Sequence, residues 1–303
     1  MSNRLLGRNA PLRASWLALP LLLAAVPVLA SFTERYYFEV PLERETRLEA
    51  DLELALGRVA VGKAEEGYLF QAEIALEEDD MVPELEVAYE DGTAHVDLGL
   101  DSGSKDDGGI TVRGIRIPED NEWLLFLSDR VPLDLAFELG MAEADLDLSG
   151  FQVERLSIES GMAKTRLAFD TPNPVVMDDL EVEAGMATFD THRLGNARFE
   201  RFSFDGGAGS FGLDFTGGPL PPGARADIEV GMASVRIALP EGAPVILHAS
   251  DSWLAQVEIP DGYIKRSKGR WHSPQVEDED DAFHVRVEAG VGKVTCQTGP
   301  FSD

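Results

Sequence analysis

A short basic and aromatic segment near the C-terminus contains the side chains that point most clearly to ligand binding. It reads YIKRSKGRWH and spans residues 263–272. Guanidinium and ammonium groups bind anionic polymers, and the neighbouring rings stack on sugars or on cations. The alternative interpretation is a hairpin loop whose charge is neutralised by the acidic run EDEDD at residues 277–281. The candidate binding residues are Tyr263, Lys265, Arg266, Lys268, Arg270, Trp271 and His272.

Two acidic segments have the oxygen ligands that suit Ca²⁺. One is the Gly/Ser-rich loop with Asp101, Asp106 and Asp107, and the other is the run at residues 277–281. Neither fits the EF-hand pattern or the nonapeptide calcium repeat, so the sequence favours solvated acidic loops. The histidines have no metal-binding spacing either. We therefore predict no metal and no cofactor.

A glycine-rich segment, GAGSFG at residues 207–212, matches the dinucleotide-binding fingerprint letter by letter. That fingerprint requires a strand before it and a helix after it, because the helix N-terminus contacts the pyrophosphate. Here the sequence GLDFTGG follows, which is typical of another strand. The segment is better explained as one turn of the repeat described below.

Catalytic motifs are absent from the sequence. There is no Gly-x-Ser-x-Gly elbow, since Ala208 stands two positions before Ser210. Abundant carboxylates could form a glycosidase-like pair, and parallel β-helices host polysaccharide lyases and hydrolases. The prediction is a non-catalytic protein, with a β-helical carbohydrate-active enzyme as the alternative.

The chain is strongly acidic, with 26 basic and 55 acidic residues and a formal net charge of −29. Without the 3 basic residues of positions 1–30, 23 basic and 55 acidic residues remain, a net charge of −32. Such a surface repels nucleic acids and anionic lipid headgroups. Neither is therefore expected as a partner, and contact with a membrane is expected only through the N-terminal segment.

The first thirty residues have the features of a secretory signal. Arg4, Arg8 and Arg13 precede an apolar run at residues 16–30, which ends in Val-Leu-Ala before Ser31. We predict cleavage after Ala30, with an uncleaved signal anchor as the alternative. The protein is therefore expected to be exported to the periplasm, the cell envelope or the extracellular space.

An internal repeat is the strongest signal in the sequence. Gly-Met-Ala occurs at residues 140, 161, 185 and 231, each time between runs of alternating apolar and polar residues. Further copies surround Gly57, Gly207 and Gly290. The central copies recur every 21 to 24 residues, a spacing typical of stacked arrays. The repeat predicts a strand, a glycine turn that needs a positive φ or a close backbone approach, and a second strand.

Alternation within each copy defines the residues expected in the core. Cys296 and the Met after each glycine are predicted to be packed apolar residues. The other predicted core positions are Leu133, Leu135, Phe137, Leu139, Leu146, Leu148, Leu156, Ile158, Leu167, Phe169, Leu180, Val182, Phe189, Phe202, Phe204, Phe211, Leu213, Phe215, Ile228, Val230, Val235, Ile237 and Leu239.

Helical periodicity is absent, so the fold class is all-β, a β-solenoid-like stack of parallel strands. We divide the chain into a signal segment at 1–30, an irregular β region of the same solenoid at 31–130, and the regular glycine-turn repeats at 131–303.

The stretch from Trp123 to Leu167, WLLFLSDRVPLDLAFELGMAEADLDLSGFQVERLSIESGMAKTRL, resembles the bacterial toast-rack family. This family includes LiaF-like proteins of the cell-wall-active antibiotics response and adhesins. The resemblance extends over residues 35–298 through LDFTGG, LPEG and VEAGVG. It implies a toast-rack stack like a single-stranded right-handed β-helix, in exported or envelope-associated proteins without enzymatic activity. The LiaF branch has several transmembrane helices ahead of this region, and this chain has only the apolar run.

The resemblance links the chain to surface adhesion or to sensing of envelope stress, and it transfers no catalytic or binding residues. We therefore expect a non-catalytic exported cell-envelope protein, either an adhesion protein or scaffold or a binding module linked to envelope stress. Its partner would be an envelope component or a surface polymer.

Overall fold

Strands dominate the structure, a computed structural model that describes residues 3–5, 33–77, 82–101, 121–249 and 254–301. The helical element of these residues is a 3-10 turn, η1 (Leu194–Ala197). The strands of the N-terminal half are β1 (Asn3–Leu5), β2 (Glu34–Pro41), β3 (Arg47–Lys63), β4 (Tyr68–Leu76), β5 (Val82–Glu90), β6 (Thr93–Asp101), β7 (Glu122–Leu127), β8 (Pro132–Asp147) and β9 (Gln152–Ser160). Those that follow are β10 (Lys164–Ala168), β11 (Met177–His192), β12 (Phe199–Asp214), β13 (Arg225–Leu239), β14 (Val245–Ala249), β15 (Ala255–Glu258), β16 (Ile264–Ser267), β17 (Arg270–His272) and β18 (Phe283–Thr298).

The strands form a continuous parallel stack, which confirms the predicted fold class. β6 and β7 pair with β3, which pairs with β8. The stack continues through β9 and β10 to β11, β12, β13 and β18, and ends at β14 and β15. β3 and β8 pair across the predicted boundary near residue 130, while the boundaries themselves stay predictions.

Each long strand bends in its middle, so that its two halves face each other across the core. In β12 the rings of Phe202 and Phe215 are 5.3 Å apart, and those of Phe204 and Phe211 are 5.0 Å apart. A straight strand would separate Phe202 from Phe215 by roughly 40 Å, at about 3.3 Å per residue. The sequence predicted two strands per repeat, but β8, β11, β12, β13 and β18 continue through the bend.

The glycines at the bend are needed because neighbouring turns approach closely. A Cβ on Gly140 would lie 2.4 Å from the carbonyl oxygen of Ala55, and one on Gly207 would lie 2.6 Å from that of Gly185. The register aligns Gly140 with Ala55 of β3, and Gly57 lies opposite Ala142 instead. The expectation that Gly57 occupies the repeat's glycine position is therefore wrong by two residues.

The core lies between the two halves of the bent strands. All the core positions predicted from alternation are buried, and so is Cys296. Burial raises the pKa of the Cys296 thiol to about 12. The stacked turns thus form one continuous hydrophobic core.

The Met residues that follow the glycines are not packed in the core, contrary to the prediction. Met186 and Met232 are 65% and 63% exposed, and Met162 is 39% exposed. Two consecutive residues, Gly and then Met, face outward at the bend of β11 and of β13, and alternation resumes after them. The neighbouring strands share this break in alternation without a change of register, and it turns the Met away from the core.

Antiparallel pairs flank the parallel stack at both ends. β5 pairs with β6, and β4 pairs with β2 and β7 at one end. At the other end β17 pairs with β14 and β16. The repeat pattern did not predict these strands. The predicted signal segment lies outside the described residues except for β1, which pairs with β5.

Within the described ranges there is no helix with the length and hydrophobicity needed to cross a lipid bilayer.

Candidate functional site

An insertion between two neighbouring strands of the stack builds the C-terminal end of the molecule. β13 and β18 pair directly, although residues 240–282 separate them in sequence. This insertion places β14 and β15 along the outer edge of β18 and adds the β16–β17 hairpin to β14. Positively charged side chains from the stack and from the insertion thereby come together.

The candidate binding residues lie on and around the β16–β17 hairpin. Lys265 and Arg266 are exposed on β16, and the Lys265 Nζ lies 5.0 Å from the centre of the Trp271 ring. Tyr263 is half-buried, and burial together with the nearby Cys296 raises the pKa of its hydroxyl. The hairpin therefore brings Lys265 and Trp271 together and leaves Lys265 and Arg266 accessible to a polymer.

Three other candidate residues lie on β17 or at the turn before it. Arg270 Nη2 donates a hydrogen bond of 2.7 Å to Glu279, within the acidic run. His272 is 5% exposed, and burial, followed by the charge of Arg270, lowers the pKa of its imidazole. Lys268 lies at the turn and lines a cavity next to the hairpin. The acidic run thus neutralises the charge of Arg270, through Glu279.

The cavity beside the hairpin, here called the basic pocket, has a volume of about 510 Å³. Parallel pairing aligns Arg225 of β13 with His284 of β18, and His248 of β14 with Arg286 of β18. Alternate residues of a strand share a face, so these four side chains gather on the outside of three neighbouring strands. The residues that define the basic pocket are Arg225, Asp227, His248, Lys268, His284, Arg286 and Glu288.

Two imidazole rings stack within the basic pocket. The centres of His248 and His284 are 6.1 Å apart, and His284 Nε2 donates to the carbonyl oxygen of Glu279 over 2.9 Å. Burial is the main cause that lowers the pKa of His248, followed by the positive charge of Arg270. An anion in the pocket would oppose this shift, because it stabilises the protonated imidazole.

The three cations of the pocket differ in how they are paired. Arg286 Nη2 lies 2.7 Å from Glu288 Oε1. Arg225 and Lys268 make no side-chain hydrogen bond or ion pair with any residue that the structure describes. These two side chains are therefore available to bind an anionic group.

Sequence reasoning missed most of the basic pocket. It identified Lys268 but not Arg225, His248, His284 or Arg286. His248 and His284 are 36 residues apart in sequence and meet only because β14 joins the edge of β18 in one register. Neither the spacing of the histidines nor the composition of the sequence indicates how β14 aligns with β18.

A second surface, here called the acidic groove, runs across the stack beside the glycine bends. In-register pairing places one carboxylate of each strand next to that of its neighbour, as in Glu138 against Glu53 and Glu159. Burial, followed by the charges of these two neighbours, raises the pKa of Glu138. The aligned residues are Glu53, Glu138, Glu159, Glu183, Asp205, Glu229 and Glu288.

The acidic groove contains carboxylates and glycines but lacks aromatic side chains among the described residues that line it. Groups of three or more His, Cys, Asp or Glu side chains able to hold a metal are also absent from the described part of the chain. Asp106 and Asp107 of the acidic Gly/Ser-rich loop lie outside the described residues.

Comparison with curated proteins gives no match to the chain. Among solved structures, a candidate cell adhesion protein from Clostridium sporogenes is 17% identical, over 88% of this chain and 100% of that chain, with a TM-score of 0.46. A candidate adhesin from Bacteroides fragilis is 11% identical, over 88% and 98% of the two chains, with a TM-score of 0.41. A candidate lipid-binding protein from Parabacteroides distasonis is 12% identical, over 89% and 98%, with a TM-score of 0.30.

A family assignment comes from the sequence itself. The model described as the N-terminal domain of toast_rack, DUF2154, matches residues 30–178. This segment contains the stretch from Trp123 to Leu167 and the strands β2–β10, of which β3 and β6–β10 form the first half of the parallel stack. Residues 30–178 therefore belong to the toast-rack family as its N-terminal domain.

Proposed function

We propose that this protein is an exported, non-catalytic component of the cell envelope that binds an anionic surface polymer through the C-terminal end of its stack. One observation carries the proposal. On a chain with a net charge of −29, positive side chains gather on the β16–β17 hairpin and in the basic pocket beside it. Local positive potential attracts an anionic polymer that the rest of the surface repels.

The exposed hairpin provides the first contact with the polymer. Lys265 and Arg266 project from β16, whose four residues are all exposed. The Lys265 ammonium lies over the ring of Trp271. The indole also offers a flat surface on which a sugar can stack. The parallel stack serves as the rigid scaffold that presents this end.

An adhesive or scaffolding role agrees with the names of structures that this chain resembles, a candidate cell adhesion protein and a candidate adhesin. A carbohydrate-active enzyme would combine carboxylates and aromatic side chains in one groove, and the described lining of the acidic groove has carboxylates alone. We therefore propose binding without turnover.

The test measures retention of the purified chain on an immobilised anionic polysaccharide and on its neutral counterpart. The double variant Lys265→Gln/Arg266→Gln should bind several-fold more weakly than the wild type. Its matched control is Lys164→Gln/Arg166→Gln, which removes the same charge from β10, where both side chains are ion-paired. Equal losses in both variants would show that net charge, not the hairpin, governs binding.

Two further measurements test the remaining parts of the proposal. Incubation with peptidoglycan and anionic glycans, followed by product analysis, should yield no cleavage products. Glycan turnover that is lost in Glu138→Gln would contradict the non-catalytic role. Fractionation of cells with an antibody to the chain should place it outside the cytoplasm.

A further inference from the structure

We propose that the basic pocket binds a single phosphate group carried by a larger ligand, and that protonation of His248 strengthens this binding. The inference deepens the proposed function, on which it rests, by naming the chemical group that the C-terminal end recognises. It concerns a different surface from the exposed face of β16, so the two can be tested separately.

The arrangement of donors favours phosphate over a planar carboxylate. Arg225 comes from β13, Arg286 from β18 and Lys268 from the hairpin turn, so that three separate segments supply cations to one cavity. Guanidinium groups bind phosphate oxygens in pairs of parallel hydrogen bonds, and an ammonium group adds a point charge. The oxygens of a tetrahedral phosphate can accept hydrogen bonds from several segments at once, whereas the two oxygens of a carboxylate lie in one plane.

The size of the pocket indicates that the phosphate belongs to a larger molecule. Its volume of about 510 Å³ exceeds what a lone phosphate ion needs. Sites for small organic ligands span roughly 300–1,000 Å³. Lys268 also joins the pocket to the hairpin, so a polymer bound along β16 can place one of its phosphate groups in the cavity.

The two carboxylates of the pocket limit its affinity at neutral pH. Asp227 lies opposite Arg286 in the β13–β18 register, and Glu288 is ion-paired with Arg286. Apart from its histidines, the pocket carries the positive Arg225, Lys268 and Arg286 against the negative Asp227 and Glu288, a small positive excess. Beyond the lining, Arg270, His272 and Glu279 also face the imidazoles, and Arg270 is paired with Glu279.

Protonation of His248 changes this balance. Because the pKa of His248 is lowered by burial and by Arg270, the ring is neutral at pH 7 and becomes charged in acid. The added proton gives the cavity a further positive charge and a further hydrogen-bond donor. We therefore expect phosphate affinity to rise as pH falls from about 8 to about 5.5.

The experiment is calorimetric titration of the purified chain with short-chain polyphosphate at constant ionic strength. Internal phosphates of this probe stay singly charged over that pH range, but its terminal phosphates lose a second proton near neutral pH. The pH effect that reports on the protein is therefore the difference between the wild type and His248→Gln with the same probe. Arg225→Gln should weaken binding about tenfold or more, since it removes a charge-assisted bidentate contact. The matched control is Arg236→Gln on the same strand, which removes the same charge outside the pocket and should bind within about twofold of the wild type.

The pH dependence has its own pair of variants. His248→Gln should flatten the rise in affinity toward acid, while His95→Gln, which alters a histidine on β6 paired with Glu49, should preserve it. Inorganic phosphate, titrated in parallel, should bind more weakly than polyphosphate if the site holds a group on a larger ligand. Polygalacturonate, a carboxylate polymer, should also bind more weakly to the pocket.

Three results would overturn the inference. These are equal polyphosphate binding by Arg225→Gln and Arg236→Gln, an unchanged pH slope in His248→Gln, and loss of polygalacturonate binding in Arg225→Gln as large as the loss for polyphosphate. The first result combined with weakened polysaccharide retention in Lys265→Gln/Arg266→Gln would leave the proposed function in place. Intact polyphosphate binding without polysaccharide retention would refute the proposed function instead.

Discussion

The acidic groove and the basic pocket lie on the outside of the same bent strands, and Glu288 of β18 contributes to both. The groove arises from repetition, because every turn of the stack carries a carboxylate at the same register position. The pocket arises where repetition stops, because its cations come from the end of the stack and from the insertion between β13 and β18.

The acidic groove and the basic pocket differ in whether backbone packing restricts their residues. The glycines beside the acidic groove are required by close contact between neighbouring turns, whatever the groove binds. No such constraint places Arg225, His248 or Arg286 in the pocket. Residues of the repeat should therefore control stability, and residues of the pocket should control binding.

The core beneath both surfaces should show the largest effect on stability. Phe204 is 1% exposed, and its ring packs against those of Phe189 and Phe211 at 5.8 and 5.0 Å. Phe204→Ala should lower the free energy of unfolding by about 3–5 kcal/mol, because it leaves a cavity that the stack cannot close. Chemical denaturation measures this loss. The control is Met186→Ala, at an exposed position, which should change the free energy of unfolding by less than about 0.5 kcal/mol. Comparable losses would contradict the assignment of the inner and outer faces.

The glycine bends should show the next largest effect, graded by the space at each turn. Gly140→Ala should destabilise the protein by about 2–3 kcal/mol, since its Cβ would lie 2.4 Å from the carbonyl oxygen of Ala55. The same substitution at Gly161 brings a Cβ to 3.1 Å from the Gly140 oxygen and should cost less than about 1 kcal/mol. Thermal and urea unfolding of both variants measure the difference. The reverse order would show that the close approach is not what selects glycine.

The sequence predicted the repeating part of the molecule well, because alternation and glycine spacing are local signals. The core positions from Leu133 to Leu239 follow from period-two alternation and are all buried. The outward Met186 and Met232 were missed because the bend shifts the alternation of inward and outward residues by one position, and apolar character alone does not show the shift.

The candidate site was only partly predictable for a different physical reason. The hairpin cations are consecutive in sequence and form a visible cluster, whereas the pocket depends on pairings between distant segments. His248 meets Arg286, and Arg225 meets His284, because β14 and β13 pair with opposite edges of β18. A pairing of this kind is decided by the packing of the whole insertion, and the local pattern does not encode it.

Within the acidic groove, removal of one charge should produce a smaller effect of opposite sign. Glu138→Gln should raise the free energy of unfolding at pH 7 by about 0.5 kcal/mol, because like charges directly opposite each other in a sheet are destabilising. The pKa of Glu138 is raised in the folded state by burial, Glu53 and Glu159, so its contribution to stability is present in acid and lost as pH rises through that pKa. The gain should therefore vanish near pH 3.5, where the carboxyl is protonated in both states.

Urea unfolding at the two pH values measures this effect. The control on the same strand is Asp145→Asn, which removes a carboxylate 3.0 Å from the Arg166 guanidinium. It should give no gain or a slight loss at pH 7. A gain in Asp145→Asn equal to that in Glu138→Gln would show that total charge, and not the alignment of carboxylates, is responsible.

The smallest effect on stability is expected in the basic pocket, where the effect on binding is largest. Arg225 is exposed and has no ion pair with the described residues, so Arg225→Gln should change the free energy of unfolding by less than about 0.5 kcal/mol. Denaturation without ligand measures this, and added polyphosphate should stabilise the wild type more than the variant, since a ligand that binds only the folded state raises its stability. A loss above about 1 kcal/mol without ligand would assign Arg225 to the architecture of the stack. Arg225 would then stabilise the fold, as the glycines beside the acidic groove do, and it would not serve ligand binding alone.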